Sequence, residues 1–330
     1  MVALVTRGLL LMQFVAAGVI AIGLVKTGQV RHPLAALMAG IFVIGSLRLL
    51  ITANNFFLSW RFGSKTPAVH QLSLREDCRL FLKEFRASMA SSSITMPFFQ
   101  FEKREAGMTT MLPVLLVHGY FCNSGYWHGM SDALLHAGIT HRAIDLEPVT
   151  GSIDDYVPSL YQAIETLCRE TSNNNVVIVA HSMGGLAIRA YIREHGLQRI
   201  ARVVTLGTPH GGTAVAQFGL GANCVQMHRS HDSRGGTPSR WLQDLEASES
   251  AQTRGLFVSI YSHHDNIIAP QTSSYLPGAT NIELHGIGHV TLAVEPSVQS
   301  LVVEAIRKTS HPRRPLTETA TYSQPDFLKR

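Results

Sequence analysis

The run Val176 to Gly185, VVIVAHSMGG, constrains this chain more than any other. Four β-branched residues and an alanine make a strand with no polar face. Such a strand must be covered on both sides, which points to a parallel sheet between layers of helix. The chain then turns at Ser182 and enters a helical pattern from Gly184 to Glu194. The same rhythm recurs from residue 112 onward. Val114 to Val117, Ala143 to Leu146, Val203 to Leu206, Leu256 to Tyr261 and Asn281 to Leu284 read as strands. Helical patterns near Tyr126 to His136, over Tyr156 to Arg169 and over Ser297 to Lys308 lie between or after them. The fold class is therefore α/β, with a mostly parallel central sheet flanked by helices.

The first sixty residues follow another rule. Gly8 to Val25 carry no charge, and a helix of that length rises about 27 Å, close to a bilayer core. Lys26 to Pro33 is polar, and Leu34 to Trp60 is apolar again except for Arg48. The pair predicts a transmembrane hairpin. A cleaved signal peptide fits less well, because no small-residue cleavage site follows and the second stretch would go unexplained. A buried core helix fits poorly too, since neither stretch has a polar face. Arg48 is expected either to snorkel or to mark the real end of the second helix. Two spans place both termini on one side, and the flanking charges favour a cytoplasmic catalytic domain by a single residue, so the side stays open.

The expected layout is an anchor over 1–63, a linker over 64–111, an α/β catalytic domain over 112–308 and a disordered tail over 309–330. Leu74 to Met89, within the linker, has the spacing of an amphipathic helix for the membrane surface or the domain wall. Residues 211–251 break the strand–helix rhythm and read as a lid-like insertion that lines the substrate. The net charge of +5 is scattered, without a basic stripe, which argues against nucleic acid as a partner. Cys78, Cys122, Cys168 and Cys224 match no metal or redox spacing; free thiols are favoured over a disulfide such as Cys122–Cys224.

Ser182 sits where a strand-to-helix turn would lift a hydroxyl above the sheet, and Ala180 and Gly184, small residues two places to either side, let the turn pass close to neighbouring backbone. A serine hydroxyl needs a base to take its proton. In this kind of sheet the order along the chain is serine, acid, histidine. His289, in LHGIGHV after the last strand, is the candidate base, preferred over His285 at the strand's end. Asp265, in the loop after Leu256–Tyr261, is the candidate acid, preferred over Asp244 and Glu295; its alternative role is to cap its own loop. Charge developing on a substrate oxygen needs two backbone N–H donors, assigned to Met183 and to Tyr120 in His118-Gly119-Tyr120-Phe121, with the Tyr120 side chain toward the acyl site.

With these pieces in place the chain resembles bacterial lipases and esterases of the α/β-hydrolase superfamily, of the small triacylglycerol-lipase type. The matching segments are PVLLVHGY (Pro113–Tyr120), VAHSMGGL (Val179–Leu186), TLGTPHGGT (Thr205–Thr213), SHHDNIIAP (Ser262–Pro270) and GIGHV (Gly286–Val290). The resemblance implies an α/β-hydrolase fold over roughly 112–306 and hydrolysis of carboxylic esters through an acyl-enzyme. The anchor places the site near lipid, so lipid-like acyl esters are the expected substrates and a bacterial inner membrane the expected location. The resemblance gives His210 a structural role. Calcium-dependent members hold their ion with aspartates near the histidine loop; here Val-Thr-Leu-Ala follows His289, so neither metal nor cofactor is expected. A thioesterase or acyltransferase would use the same three residues, and a non-catalytic membrane scaffold is the alternative of another class.

Overall fold

The computed structural model describes residues 1–107, 109–231 and 236–311. The expected tail lies outside them from residue 312 on; Thr309 and Ser310 finish the last helix and His311 caps it.

Helices α1 (Val2–Lys26) and α2 (Pro33–Arg61) form the expected hairpin. Both are long and apolar enough to cross a membrane, with a mean hydropathy of 2.3 in each. Small residues let them approach. A Cβ built on Gly40 would lie 3.1 Å from the Ala17 Cα, and Ala17, Ala21 and Ala36 are buried along the same seam. Large side chains such as Phe14 and Phe42 point outward, and α2 continues unbroken past Arg48 to Arg61. Instead of ending the helix, Arg48 donates to Gln13 Oε1 (2.9 Å) and to the hydroxyls of Ser92 (3.1 Å) and Ser93 (2.7 Å). Neutral partners on two other segments satisfy its N–H donors, as a guanidinium among apolar helices requires.

Helix α3 (Leu74–Ala90) starts at a capping box between Ser73 and Glu76. It packs on the domain: Leu80 and Glu84 are buried, and Phe81 meets Phe56 of α2. The short α4 (Met96–Phe98) takes a hydrogen bond from Arg7 of α1 to its Pro97 carbonyl.

Among the described residues seven strands form one sheet, in the order β1-β3-β2-β4-β5-β6-β7. They are β1 (Lys103–Arg104), β2 (Val114–Val117), β3 (His141–Ile144), β4 (Val176–His181), β5 (Ile200–Leu206), β6 (Phe257–Ser262) and β7 (Thr280–Leu284). All pairs are parallel except β1 on β3. Two residues long and polar, β1 carries no periodicity and is absent from the sequence reading. β3 begins two residues earlier than expected because His141 and Arg142 are buried there. The His141 Nε2 and the Ser131 hydroxyl are 2.6 Å apart, and Arg142 forks onto Glu170. Paired polar groups can therefore sit in a strand that propensity alone would start later.

Side chains alternate between two cores. Leu115, Val117, Ile178 and Ala180 face α6 (Val157–Thr171) and α7 (Met183–His195). Val114, Leu116, Val177 and Val179 face α5 (His128–His136) and α11 (Pro296–Ser310). Residues 211–251, expected to be irregular, contain α8 (Ala222–Met227) and α9 (Arg240–Ala247); α10 (Ala251–Gly255) follows. They add Cys224, Met227 and Leu242 to the core and are tied down by polar contacts, Asn223 Nδ2 donating to the Val149 carbonyl (2.8 Å) and Trp241 Nε1 to Asp154 (2.8 Å). The helices are short, six and eight residues, and their few buried apolar side chains are too widely spaced to set a helical period, which is why the segment looks like loop in the sequence.

Candidate active site

In parallel sheets the loops beyond the carboxyl ends of the strands gather on one edge. Here that edge brings together the loops after β2, β4, β5, β6 and β7, and each carries a residue of the candidate site. The register aligns Val117 with Ala180 and His181 with Leu206, so His118-Gly119, Ser182 and Gly207 become neighbours.

Ser182 has φ 54° and ψ −129°, a conformation that is unfavourable for any residue with a Cβ. The surroundings enforce it. Ser182 N–H donates to the Leu206 carbonyl (2.9 Å), and the Thr208 hydroxyl donates to the Ser182 carbonyl (2.9 Å). A Cβ on Gly184 would lie 2.6 Å from the His118 carbonyl oxygen, and one on Gly119 would lie 2.7 Å from the Ser182 Cβ. Both positions therefore require glycine if the serine turn is to sit against β2. Ser182 is 7% exposed, at the floor of the edge rather than on its rim.

His118 fixes the loop that leads to Tyr120. Its Nε2 accepts from Leu146 N–H (3.0 Å), so its proton is on Nδ1, which donates to the Gly119 carbonyl (2.8 Å). Burial holds its pKa below the ordinary value, in keeping with this neutral form. Phe121 follows at φ 56°, giving the loop a sharp bend beside Tyr120. The Tyr120 side chain ends on the insertion: its hydroxyl donates to the Leu220 carbonyl (2.9 Å) and accepts from Leu220 N–H (3.1 Å). Met183, the other expected donor residue, begins α7 directly after Ser182.

The acid and base candidates meet. Asp265 Oδ2 lies 2.7 Å from His289 Nδ1, with both side chains buried. The other carboxylate oxygen, Oδ1, accepts from Ile267 N–H and Ile268 N–H (2.8 Å each). Asp265 thus combines the two roles left open by the sequence, capping its own loop and holding an imidazole. A Cβ on Gly207 would lie 3.0 Å from Asp265 Oδ2 and 3.2 Å from His289 Nδ1, which sets this pair against the strand end beside Ser182. His181 forms the remaining wall. Its ring centroid is 4.4 Å from that of His289, and its Nε2–H donates to the His289 carbonyl (3.1 Å). Burial disfavours a charged His289, but the Asp265 carboxylate, aided by that of Glu84, outweighs it and raises the pKa. His181, buried with no carboxylate partner, is pushed well below the ordinary value and stays neutral.

Other candidates are placed elsewhere. Asp244 lies on α9 beside Arg240, Glu295 pairs with Lys83, and His285 sits by His70. His210 is buried against Thr205 (3.2 Å), and its carbonyl accepts from Arg189. The four cysteines are free.

Two residues absent from the sequence reading, Gln271 and Glu84, tie this edge to the N-terminal segment. Gln271 accepts from Ser64 N–H (3.0 Å) and donates to the Asp265 carbonyl (3.0 Å). Glu84 of α3 is fully buried beneath the histidine loop, where Val290 N–H, Thr291 N–H and the Thr291 hydroxyl donate to it (2.9, 3.0 and 2.7 Å). A Cβ on Gly288 would lie 2.6 Å from the Glu84 Cδ, so the glycine before His289 makes room for this carboxylate. Glu84 gives no signal in the sequence, being one acid among Lys83, Glu84 and Arg86 on an amphipathic helix.

Among the described residues, His70, His263 and Glu283 place potential ligand atoms within 4.8 Å of one another. The two rings are stacked at 4.6 Å and 23°, so their in-plane lone pairs run side by side; a shared ion would require one ring to turn.

The comparisons agree with this architecture. The family model described as alpha/beta hydrolase fold matches residues 113–222. A triacylglycerol lipase of Pseudarthrobacter phenanthrenivorans is 32% identical over 120 residues, covering 33% of this chain and 36% of that protein. One from Burkholderia plantarii is 32% identical over 120 residues, covering 33% and 32%. The chain thus spans about a third of the length of these curated relatives. Among solved structures, Aspergillus fumigatus lipase B superposes with a TM-score of 0.52 at 15% identity, over 61% of this chain and 54% of that one. A Bacillus licheniformis lipase in its propeptide form gives 0.50 at 17% identity, over 62% and 53%. At such identities the likeness is one of fold. The chain has the α/β-hydrolase fold behind a hairpin of two helices long and apolar enough to cross a membrane.

Proposed function

We propose that this protein is a membrane-anchored serine hydrolase that cleaves carboxylic esters, with lipid-like acyl esters as its substrates. The observation that carries the reading is the buried Asp265–His289 contact of 2.7 Å, set against the strand end beside a serine held at φ 54°. A buried carboxylate on Nδ1 fixes the tautomer that leaves Nε2 unprotonated, free to take a proton. In this reading Ser182 Oγ attacks the ester carbonyl while His289 Nε2 takes its proton. The Met183 and Tyr120 N–H groups bind the resulting oxyanion. His289 returns the proton to the departing alcohol. A water then attacks the acyl-enzyme by the same route and releases the acid. Asp265 stays ionised and stabilises the imidazolium.

Two features support a lipid-like substrate. Phe121, Phe218 and Leu220 are exposed around Tyr120, Leu220 by 74%. Phe62, the residue that caps α2, lies 6.2 Å from Phe218 between ring centroids, which puts the base of the hairpin beside this apolar rim. The curated relatives are named triacylglycerol lipases. Hydrolysis of p-nitrophenyl acyl esters from short to long chain, by detergent-solubilised wild type and by Ser182→Ala, tests the proposal. A loss of about a thousandfold or more in the variant is expected. Equal rates in the two proteins would overturn it.

A further inference from the structure

The anchor-proximal helix α3 reaches into the candidate site with a group that the chemistry above does not use. Glu84 is fully buried, yet its carboxylate is completely engaged. Oε1 accepts from Val290 N–H, and Oε2 accepts from both Thr291 N–H and the Thr291 hydroxyl. All three donors lie one or two residues beyond His289, and the glycine on its other side is shaped to the same carboxylate. Three donors on two oxygens require an acceptor-only group. A glutamine would turn its amide nitrogen against at least one N–H or O–H, and a leucine would leave all three buried and unsatisfied.

We propose that Glu84 is a positioning residue for His289: it holds the loop that carries the imidazole and places a second negative charge near the ring, so that α3 is part of the active site and no mere spacer. The inference rests on the hydrolase reading of the site. The charged and titratable groups that face His289 are Asp265, Glu84 and His181. Those that face Glu84 are His289 and Tyr126; burial pushes the Glu84 pKa up against the pull of its three donors and of His289, and it is the geometry, three donors on two oxygens, that marks the carboxylate form. Removing the Glu84 charge should therefore do two separable things. It should loosen the loop, and it should lower the pH at which His289 gives up its proton.

The test uses the full chain in detergent and compares wild type, Glu84→Gln and Thr291→Val, the last removing one of the three bonds and leaving the charge. Amide exchange at Val290 and Thr291 needs no turnover. The second readout is the pH dependence of kcat and KM on a p-nitrophenyl ester. We expect Glu84→Gln to speed exchange at these two amides at least tenfold and to lower kcat by roughly 10²-fold, the effect of about 1 Å of misplacement, with KM within threefold. Its acid limb should move to lower pH. Thr291→Val should lower kcat only a few-fold and leave the acid limb in place; it also keeps the test alive if Glu84→Gln fails to fold. Unchanged exchange in Glu84→Gln, or faster exchange with wild-type kcat and pH profile, overturns the proposal and leaves the hydrolase reading standing. A wild type that cleaves no ester removes that reading and reduces Glu84 to a structural clamp, which overturns the proposal as well.

Discussion

Replacing Asp265 by asparagine separates the two jobs of that carboxylate. Its Oδ1 accepts from two loop amides at 2.8 Å, and its Oδ2 faces His289 Nδ1 at 2.7 Å. In the variant the two amides demand the oxygen, so the side-chain nitrogen is turned toward Nδ1. The ring must then accept there and carry its proton on Nε2, where it cannot take one from Ser182. The reverse orientation restores the working tautomer but abandons two hydrogen bonds of about 1 kcal/mol each. A difference of about 2 kcal/mol leaves roughly 3% of molecules in that orientation, which sets a floor of about 30-fold on the loss. The full effect is expected near 10⁴-fold in kcat, or about 5.5 kcal/mol of transition-state stabilisation. The assay is kcat on a p-nitrophenyl ester for wild type and Asp265→Asn, with thermal unfolding as the control for an intact loop. A loss below tenfold in a variant that unfolds at the wild-type temperature would refute this account of Asp265.

The remaining predictions concern other parts of the structure. Because Asp265 and Glu84 outweigh burial and raise the His289 pKa, kcat/KM should fall with acidification through a pH above the ordinary imidazole value of about 6.5. The sign for stability is opposite. The favourable pairing of charged His289 is fully present below about 6.5 and is lost as pH rises through the raised folded value, so the unfolding temperature should drift down across the range where activity climbs. Gly119→Ala places a Cβ 2.7 Å from that of Ser182; kcat/KM should fall roughly 10²-fold, and fluorophosphonate labelling should slow in parallel. Arg189 of α7 is buried on a bidentate contact with Glu249 (2.5 and 3.0 Å) and also donates to the His210 carbonyl. Arg189→Ala should destabilise the protein by about 2–3 kcal/mol in urea titration, since it removes a bidentate partner from the buried Glu249 carboxylate, which keeps only Arg254 (3.2 Å). The hairpin should keep the full chain in the pellet after alkaline carbonate extraction, whereas release into the supernatant would contradict the anchor.

Local signals carried most of the sheet. Strands such as Val176–His181 and Phe257–Ser262 are buried on both faces, so composition alone marks them. β1 and the start of β3 escaped because their polar residues are satisfied by partners distant in sequence, Arg142 by Glu170 among them. Chain order singles out Asp265 and His289 as candidates because each lies directly after a recognisable strand, and a strand end fixes where its loop must go; the fold brings their side chains to 2.7 Å. Glu84, His181 and Gln271 were not legible. Each acts through a contact with a segment far along the chain, Glu84 with residues more than two hundred positions later, and nothing in the neighbouring sequence separates a clamp from a solvated charge. Arg48 is the same lesson inside the hairpin. Its expected fates were those of an unpartnered cation, whereas Gln13, Ser92 and Ser93 supply partners that only the folded chain brings together.

The central claim, that Ser182 is a nucleophile activated by His289, is tested most directly by fluorophosphonate labelling of the wild-type protein with the adduct mapped by mass spectrometry. A single adduct on Ser182, abolished in His289→Ala and absent from heat-unfolded protein, is the predicted result. Labelling of a different residue, or none in a folded protein, would contradict it.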